Sequence, residues 1–535
     1  MIKFPNITGL KLKAFMKERI SRFLNVRQGE SMYVGYLLLH YFFQGIGISV
    51  LFIVANALFL SRFEIESLPL VFMCSAVVLS LLGKLNDSLS HRWPPPKMLM
   101  AIVIFVAITI FLFFIGALSF KVLWIPFAIY ILYQVVNLQV DTEFWTLSSY
   151  IFDVRQAKRL YGLISVGDVP AKLLGSLMVF LLAPYLGGGS NLLIISTVAF
   201  LAGALILKLL FSKMKPSHFE HHSVEHVHRK PAGISFLSRF FQSELVMALS
   251  ILYLTAAIVI TFIEFSFLSG VEHKFHTLKE LDQFFAIVFA ISNGIIILCK
   301  LLFSGKAIER LGVRRSLLAL PLFLILMCIS MVIIDRIYQG EYIIMWFFTI
   351  MIVFSEIFKA VLYEPLFLAL FQPLPADARH KAHSIISGII DPLGLGISGL
   401  SLYIGILVYH NVNLYKINYI LIVLIMIWIV LIFFAARKYM DALRTAINKR
   451  MIDSGELNLG DESSVKILKA RLKSERPDEV IYASEILSKT HIPVFESAIP
   501  QLLSHPVMEV QVYERVKWCW YHSMKTVHSR HFHRL

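Results

Sequence analysis

Cysteine, charge and phosphate-cradling loops are scarce in this 535-residue chain. Its four cysteines (Cys74, Cys299, Cys328 and Cys519) stand far apart, three of them in apolar runs. That spacing offers neither a disulfide framework nor a CxxC site, and they read as small buried apolar residues. The glycine-rich stretches Gly187–Gly189 and Gly394–Gly399 lack the GK[ST] ending of a nucleotide-binding loop. No catalytic constellation replaces it, so the chain reads as a non-enzyme needing no cofactor. Residues 1–31 lack the apolar core and cleavage site of a signal peptide. Charged residues make up 16% against 57% hydrophobic, too few charges for a soluble chain of this length. The apolar residues gather in runs of about 20, the length that crosses a bilayer.

The expected fold class is therefore all-α: a polytopic membrane protein with twelve transmembrane helices in two six-helix pseudo-symmetric bundles. The spans are read at 32–60, 67–85, 97–119, 122–150, 160–184 and 191–212, then at 244–269, 282–304, 316–335, 341–371, 382–408 and 414–436. The N-terminal bundle is 32–212 and the C-terminal bundle 244–438. Before them, 1–31 sets Leu12, Phe15, Met16, Ile20, Phe23 and Leu24 on one helical face against Lys and Arg, an interfacial amphipathic helix. The net charge of +15 is a topological signal rather than a nucleic-acid footprint. Lys84, Arg92, Lys97, Arg155, Lys158, Arg159, Arg314, Arg315, Arg379 and Lys381 crowd one side, which places both termini in the cytoplasm. The expected location is a bacterial inner membrane, the lipid bilayer being the first partner.

Polar residues at membrane depth point to function, since each charge there costs about 2.5–3.5 kcal/mol on insertion scales. In the fourth span Gln134, Asn137 and Asp141 fall at i, i+3, i+7, flanked by Gln139 and Glu143. After a basic loop, Asp153–Arg159, the fifth span carries Asp168, Pro170 and Lys172. The pattern returns about 220 residues later: Glu356, Lys359 and Tyr363 repeat the spacing beside Glu364, a loop Asp377–Lys381 follows, and Asp391–Pro392 opens the next apolar stretch. Two like-oriented charged hairpins indicate a parallel internal repeat. Gln44 and Asn56 in the first span, Glu264 in the seventh, and Asn293 and Lys300 in the eighth complete the candidates. Asp168–Lys172 and Glu356–Lys359 have the spacing of self-neutralising pairs, and Lys300 can snorkel to the cytoplasmic edge. Glu143 and Glu364 are expected at matching depth, with Glu143 as proton carrier, and the binding site is expected between the first, fourth, seventh and tenth spans.

Two loops match as well. Gly83, Asp87 and Arg92 follow the second span, and Gly305, Arg310 and Arg314 follow the eighth, as gating loops in which glycine permits close helix approach and arginines latch neighbouring ends. Between the halves, 213–243 is a linker bearing His218, His221, His222, His226 and His228; it reads as solvated, with no metal site. Beyond a connecting helix and linker (439–461), residues 462–517 show amphipathic helices with proline at helix starts, about one and a half units of a HEAT-type repeat. So few copies predict loose packing. An irregular tail, 518–535, follows.

The loop after the eighth span, beginning Gly305-Lys-Ala-Ile-Glu-Arg310, resembles the cytoplasmic loop motif of the major facilitator superfamily. EFWTLSSYIFDVRQAKRLYGLISVG (Glu143–Gly167) and YEPLFLALFQPLPADARHKAHSIISGIIDPLGLGISGL (Tyr363–Leu400) are similar to matching segments of the ATP/ADP translocase family and its bacterial relatives, some with fused cytoplasmic HEAT-like repeats. The resemblance covers about residues 25–438 and implies a facilitator-type fold and, in the best-known members, nucleotide exchange. Ile53–Ser61 and Ile389–Gly396 depart from the family at its basic and arginine-glycine elements. The expected activity is thus secondary active transport of a small polar or anionic solute by alternating access, driven by protons or exchange. The alternative is a transporter-like membrane sensor or scaffold that reaches a cytoplasmic protein partner through its helical repeats.

Overall fold

The computed structural model describes residues 30–119, 124–152, 167–214, 243–303, 306–337, 341–371, 373–374, 382, 385–409, 413–448, 462–472, 477–490, 492–508, 510–513 and 515. Outside the described residues lie the N-terminal amphipathic segment, both charged-hairpin loops, most of the histidine linker and the tail 518–535. Within the described residues the structure is helical, without strands.

The first half contributes α1 (Ser31–Leu60), α2 (Leu68–Arg92), α3 (Pro95–Ser119), α4 (Ile125–Ile151), α5 (Asp168–Leu186) and α6 (Leu193–Lys213). The second contributes α7 (Glu244–Lys274), α8 (Leu278–Phe303), α9 (Lys306–Ile337), α10 (Glu341–Phe358) with its continuation α11 (Glu364–Leu370), α12 (Asp391–Tyr409) and α13 (Leu414–Asn448). Eleven of the described helices are long and apolar enough to cross a membrane. Helix α4, at 27 residues, is long enough but falls outside that set, because Gln134, Asn137, Gln139, Asp141 and Glu143 dilute its apolar character. Phe105, Leu112, Leu181, Leu205, Leu326 and Leu301 stand exposed on the outside of the helices, an apolar girdle suited to acyl chains rather than water.

Packing repeats between the halves. Helix α1 rests on α4, α5 and α6, as α7 rests on α10, α12 and α13. Helix α3 packs on α4 and α6, as α9 does on α10 and α13, and α2–α4 matches α8–α10. The halves meet along two seams that are each other's counterparts, α2 with α12 and α5 with α8. The α2–α12 seam closes tightly because small residues lie along it. A methyl group at Gly399 would sit 2.7 Å from the Pro69 carbonyl oxygen, and one at Gly396 3.1 Å from Ala76 Cβ. Backbones approach this closely in lipid only where side chains are minimal.

The second charged hairpin is not two plain helices. Lys359–Tyr363 and Ile386–Ile390 are π-turns. The Glu364 amide bonds the carbonyl of Lys359, and the Asp391 amide that of Ile386, each five residues back. In both cases the next residue is proline (Pro365, Pro392), which has no N–H to continue the helical ladder. Such π-bulges recur at functional sites. The expected stripe Glu356–Lys359–Tyr363 is corrected accordingly. The wider turn rotates Tyr363 away, and its hydroxyl donates to the Leu317 carbonyl at 2.7 Å.

Beyond the last span, α13 runs on to Asn448 as a basic extension. Helices α14 (Glu462–Arg471), α15 (Pro477–Thr490) and α16 (Ile492–Leu503) follow. They pack in succession around Leu468, Val480, Ile486, Leu487, Phe495 and Leu502, all buried. An Arg471–Glu479 ion pair ties the first two, and α14 leans on α9. The expectation of loose packing is corrected: this small core gains a wall from the transmembrane part.

Candidate functional site

Charged side chains from both halves converge between the helices. On α5, Lys172 Nζ lies 2.7 Å from Asp168 Oδ2, both side chains about one-third exposed, so they line an opening rather than a packed core. On the other side Lys300 of α8 reaches to 3.9 Å from Glu364 Oε2. Lys300, in the last turn of α8, thus has a carboxylate neighbour on α11. Lys359, carried by the first π-turn, lies within electrostatic reach of Glu356, Asp141, Glu364 and Lys172. Asp141 in turn senses Lys359, Lys172, Asp168 and Glu356, and Asp391 senses Lys359 and Asp141. Glu264 accepts a hydrogen bond from the Tyr130 hydroxyl at 2.9 Å, which links α7 to α4. Phe52, Tyr133 and Phe289 form an aromatic wall, with Phe52 4.9 Å and 4.2 Å from the other two ring centroids.

The cluster draws on α4 and α5 from one half and on α7, α8, α10–α11 and α12 from the other. Its described charges are six carboxylates (Asp141, Asp168, Glu264, Glu356, Glu364, Asp391) and three ammonium groups (Lys172, Lys300, Lys359). Such a group persists at membrane depth only when its members compensate one another or face water.

Several expected members lie elsewhere. Glu143 is two positions from Asp141, about 200° around the helix, so Asp141 is exposed to the chamber while Glu143 is 2% exposed. Glu143 therefore does not share the chamber with Glu364, whose depth it was expected to match. Glu143 bonds Gln44 and His40 on α1 instead. Asn56 donates to its own helix at Phe52 O, and Asn293 does likewise at Phe289 O. Gln139 exchanges hydrogen bonds with Asn86 of α2, while Gln134 and Asn137 are half-buried on α4. The first span thus supplies Phe52 rather than Gln44 and Asn56 to the chamber.

Both ends of the helices carry contacts between neighbouring elements. Gly83 of α2 lies against the π-turn before α12, its would-be methyl 3.4 Å from Gly388 O. Arg314 stacks its guanidinium 4.3 Å over the Phe433 ring, tying α9 to α13 just after Gly312 breaks α9 at φ 73°. Arg92 ends α2; Gly305 and the side chains of Asp87 and Arg310 lie outside the described residues. At the opposite end, the Gly189 amide donates to Asp282 Oδ2 at 2.6 Å and the Ile65 amide to Glu272 Oε1 at 3.0 Å. Each joins a loop of the first half to a carboxylate of the second.

Reading the sequence alone passed over His40, Tyr130, Tyr133, Asp282 and Glu272. Tyr130 lies three turns before Asp141 on the same face, a signal the spacing already held. His40 precedes Gln44 by one turn in an otherwise apolar run. For Asp282 and Glu272, near helix ends, no local pattern separates a latch from a solvated charge.

Two solved transporters share the architecture. The crystal structure of the nucleoside transporter NupG superposes with a TM-score of 0.51 at 13% identity, covering 76% of this chain and 99% of that one. A bacterial homologue of the iron transporter ferroportin, in an outward-facing state, gives the same TM-score, identity and coverages. At that identity the likeness establishes the fold alone. No curated protein matched the sequence. The TLC ATP/ADP transporter family matches over residues 106–441, and the chain belongs to that family.

Proposed function

We propose that the chain is a secondary active transporter. Two six-helix bundles, 32–212 and 244–438, would rock about the α2–α12 and α5–α8 seams and expose the charged chamber to each side in turn. This reading counts α4 as a twelfth span and places both termini in the cytoplasm of a bacterial inner membrane. The observation that carries it is the chamber, assembled from both halves where the pseudo-symmetric seams meet. The solute is small and polar. A polyanion such as a nucleoside triphosphate is disfavoured, because three lysines face six carboxylates. Energy comes from protons or exchange, which carboxylates in a wet cavity can serve.

A second reading has its own support: α14 rests on α9, a route by which occupancy of the chamber could reach the HEAT-like helices and a cytoplasmic partner. Melting of detergent-purified protein against panels of nucleotides, organic acids, amino acids and inorganic cations identifies the solute, since specific binding raises stability with concentration. Uptake of that solute by liposomes carrying the protein supports transport, while saturable binding without flux refutes it and favours the sensor.

A further inference from the structure

Helix α1 buries a histidine whose two ring nitrogens both face acceptors. His40 is 0% exposed and Glu143 2%. His40 Nδ1 lies 2.9 Å from the carbonyl oxygen of Gly203 on α6. A carbonyl can only accept, so Nδ1 carries a hydrogen. His40 Nε2 lies 3.1 Å from Glu143 Oε1, and Gln44 Nε2 donates to Glu143 Oε2 at 2.6 Å. With Nδ1 protonated, a neutral imidazole presents a lone pair at Nε2, which would oppose a carboxylate lone pair in a dry site. The contact needs one more proton, on Nε2 or on Oε1.

We propose that His40 and Glu143 form a buried one-proton site, loaded when α1, α4 and α6 are packed as seen, and that this proton is the one coupled to solute movement. The coupling clause rests on the transporter reading; the presence of the proton does not. Loading makes the pair net neutral, as imidazolium with carboxylate or as imidazole with carboxylic acid. Unloading leaves an uncompensated charge among apolar side chains, a state tolerated only if the helices part or water enters. The adjoining Gly45 packs against the Asp168 carbonyl and Ala171, where a methyl group would come within 2.9 Å and 2.8 Å. A shift of α1 therefore presses on the first turn of α5, which carries the Asp168–Lys172 pair of the chamber.

Other titratable groups on the surrounding elements are placed differently. Tyr41 packs edge-on beside His40, its ring centroid 5.2 Å away. Asp141 points from α4 into the chamber, Asp168 and Lys172 pair on α5, Glu30 precedes α1, and Lys208 and Lys213 stand exposed on α6. On α8, Asp282 bonds Gly189 and Lys300 reaches Glu364.

The proton can be tested without knowing the solute. In the wild type the pair is either a carboxylic acid beside a neutral ring or a carboxylate beside an imidazolium. In Glu143→Gln the new amide donates to a neutral Nε2 and accepts from Gln44, so every bond is kept and no proton is needed.

The experiment is infrared difference spectroscopy of the purified full chain, wild type minus Glu143→Gln. A carboxylic-acid carbonyl band or an imidazolium band is expected in the difference, and carboxylate bands beside a neutral imidazole overturn the proposal. Should Glu143→Gln not fold, the nitrogen chemical shifts of His40 in the wild type decide: a bare Nε2 without a carboxylic-acid band overturns it too. A proton signature combined with uptake that ignores a proton gradient would leave the proton in place and refute its coupling.

Discussion

Substituting Gly399 by alanine tests whether the α2–α12 seam is a moving joint. The added methyl would stand 2.7 Å from the Pro69 carbonyl oxygen, 3.0 Å from Met73 Cγ and 3.1 Å from the Met73 amide nitrogen. Two of those atoms are backbone and cannot rotate aside, so the helices must separate by several tenths of an ångström. Overpacking of this kind costs about 1–3 kcal/mol. Gly405, one and a half turns further along α12, has nothing within 4 Å of its would-be methyl. There alanine should gain up to about 1 kcal/mol from helix propensity. If the two bodies move apart as proposed, the cost at Gly399 falls on this conformation and not on the one with the seam open. At about 1.4 kcal/mol per tenfold, the population should shift by about 5- to 150-fold. The assay pairs Ala76→Cys with Gly396→Cys in a chain whose other cysteines, including exposed Cys74, are replaced. Gly396 would place Cβ 3.1 Å from Ala76 Cβ, close enough to cross-link on oxidation after slight relaxation. Gly399→Ala should slow cross-linking and Gly405→Ala should not. Equal rates and equal melting temperatures in the two variants would refute the seam.

Asp282→Ala removes the acceptor of the Gly189 amide, a charge-assisted bond of about 1.5–3 kcal/mol, whereas Asp282→Asn keeps an acceptor oxygen. The alanine variant should label faster at a cysteine placed at Ser190, and equal rates for the two variants would show that the bond holds nothing shut. In liposomes Glu143→Gln should abolish proton-driven accumulation while counterflow exchange stays measurable; an unchanged pH dependence of uptake would reduce Glu143 to a packing role. Lys172→Met leaves Asp168 unpaired in the chamber, and solute binding measured by melting shift should weaken at least tenfold, while Lys172→Arg should retain most of it. Deleting residues beyond Gly455 removes α14–α16 and should leave the transmembrane part inserted and folded, with a lower melting temperature where α9 loses its cover. Loss of the folded helices on deletion would make the tail part of the transport core.

Composition and period already decide that this chain lives in a bilayer as helices, because lipid satisfies no backbone hydrogen bond and only long apolar runs can enter it. The internal repeat was legible too: two charged hairpins in matching places return as two sets of helices with matching packing. So was the presence of charge at depth, since Asp141, Asp168, Lys172, Glu356, Lys359, Glu364 and Asp391 do meet. What the chain order could not reveal is which face each residue shows. Asp141 and Glu143, two positions apart, serve different neighbours because a helix turns about 100° per residue. The stripe through Tyr363 failed because a π-turn at Lys359–Tyr363 shifts the register. His40 and Glu143 are 103 residues apart, and Gly189 and Asp282 are 93 apart. Only the packing of whole helices, driven by small residues and side-chain fit, brings such pairs within a hydrogen bond's reach, and no local spacing encodes that distance.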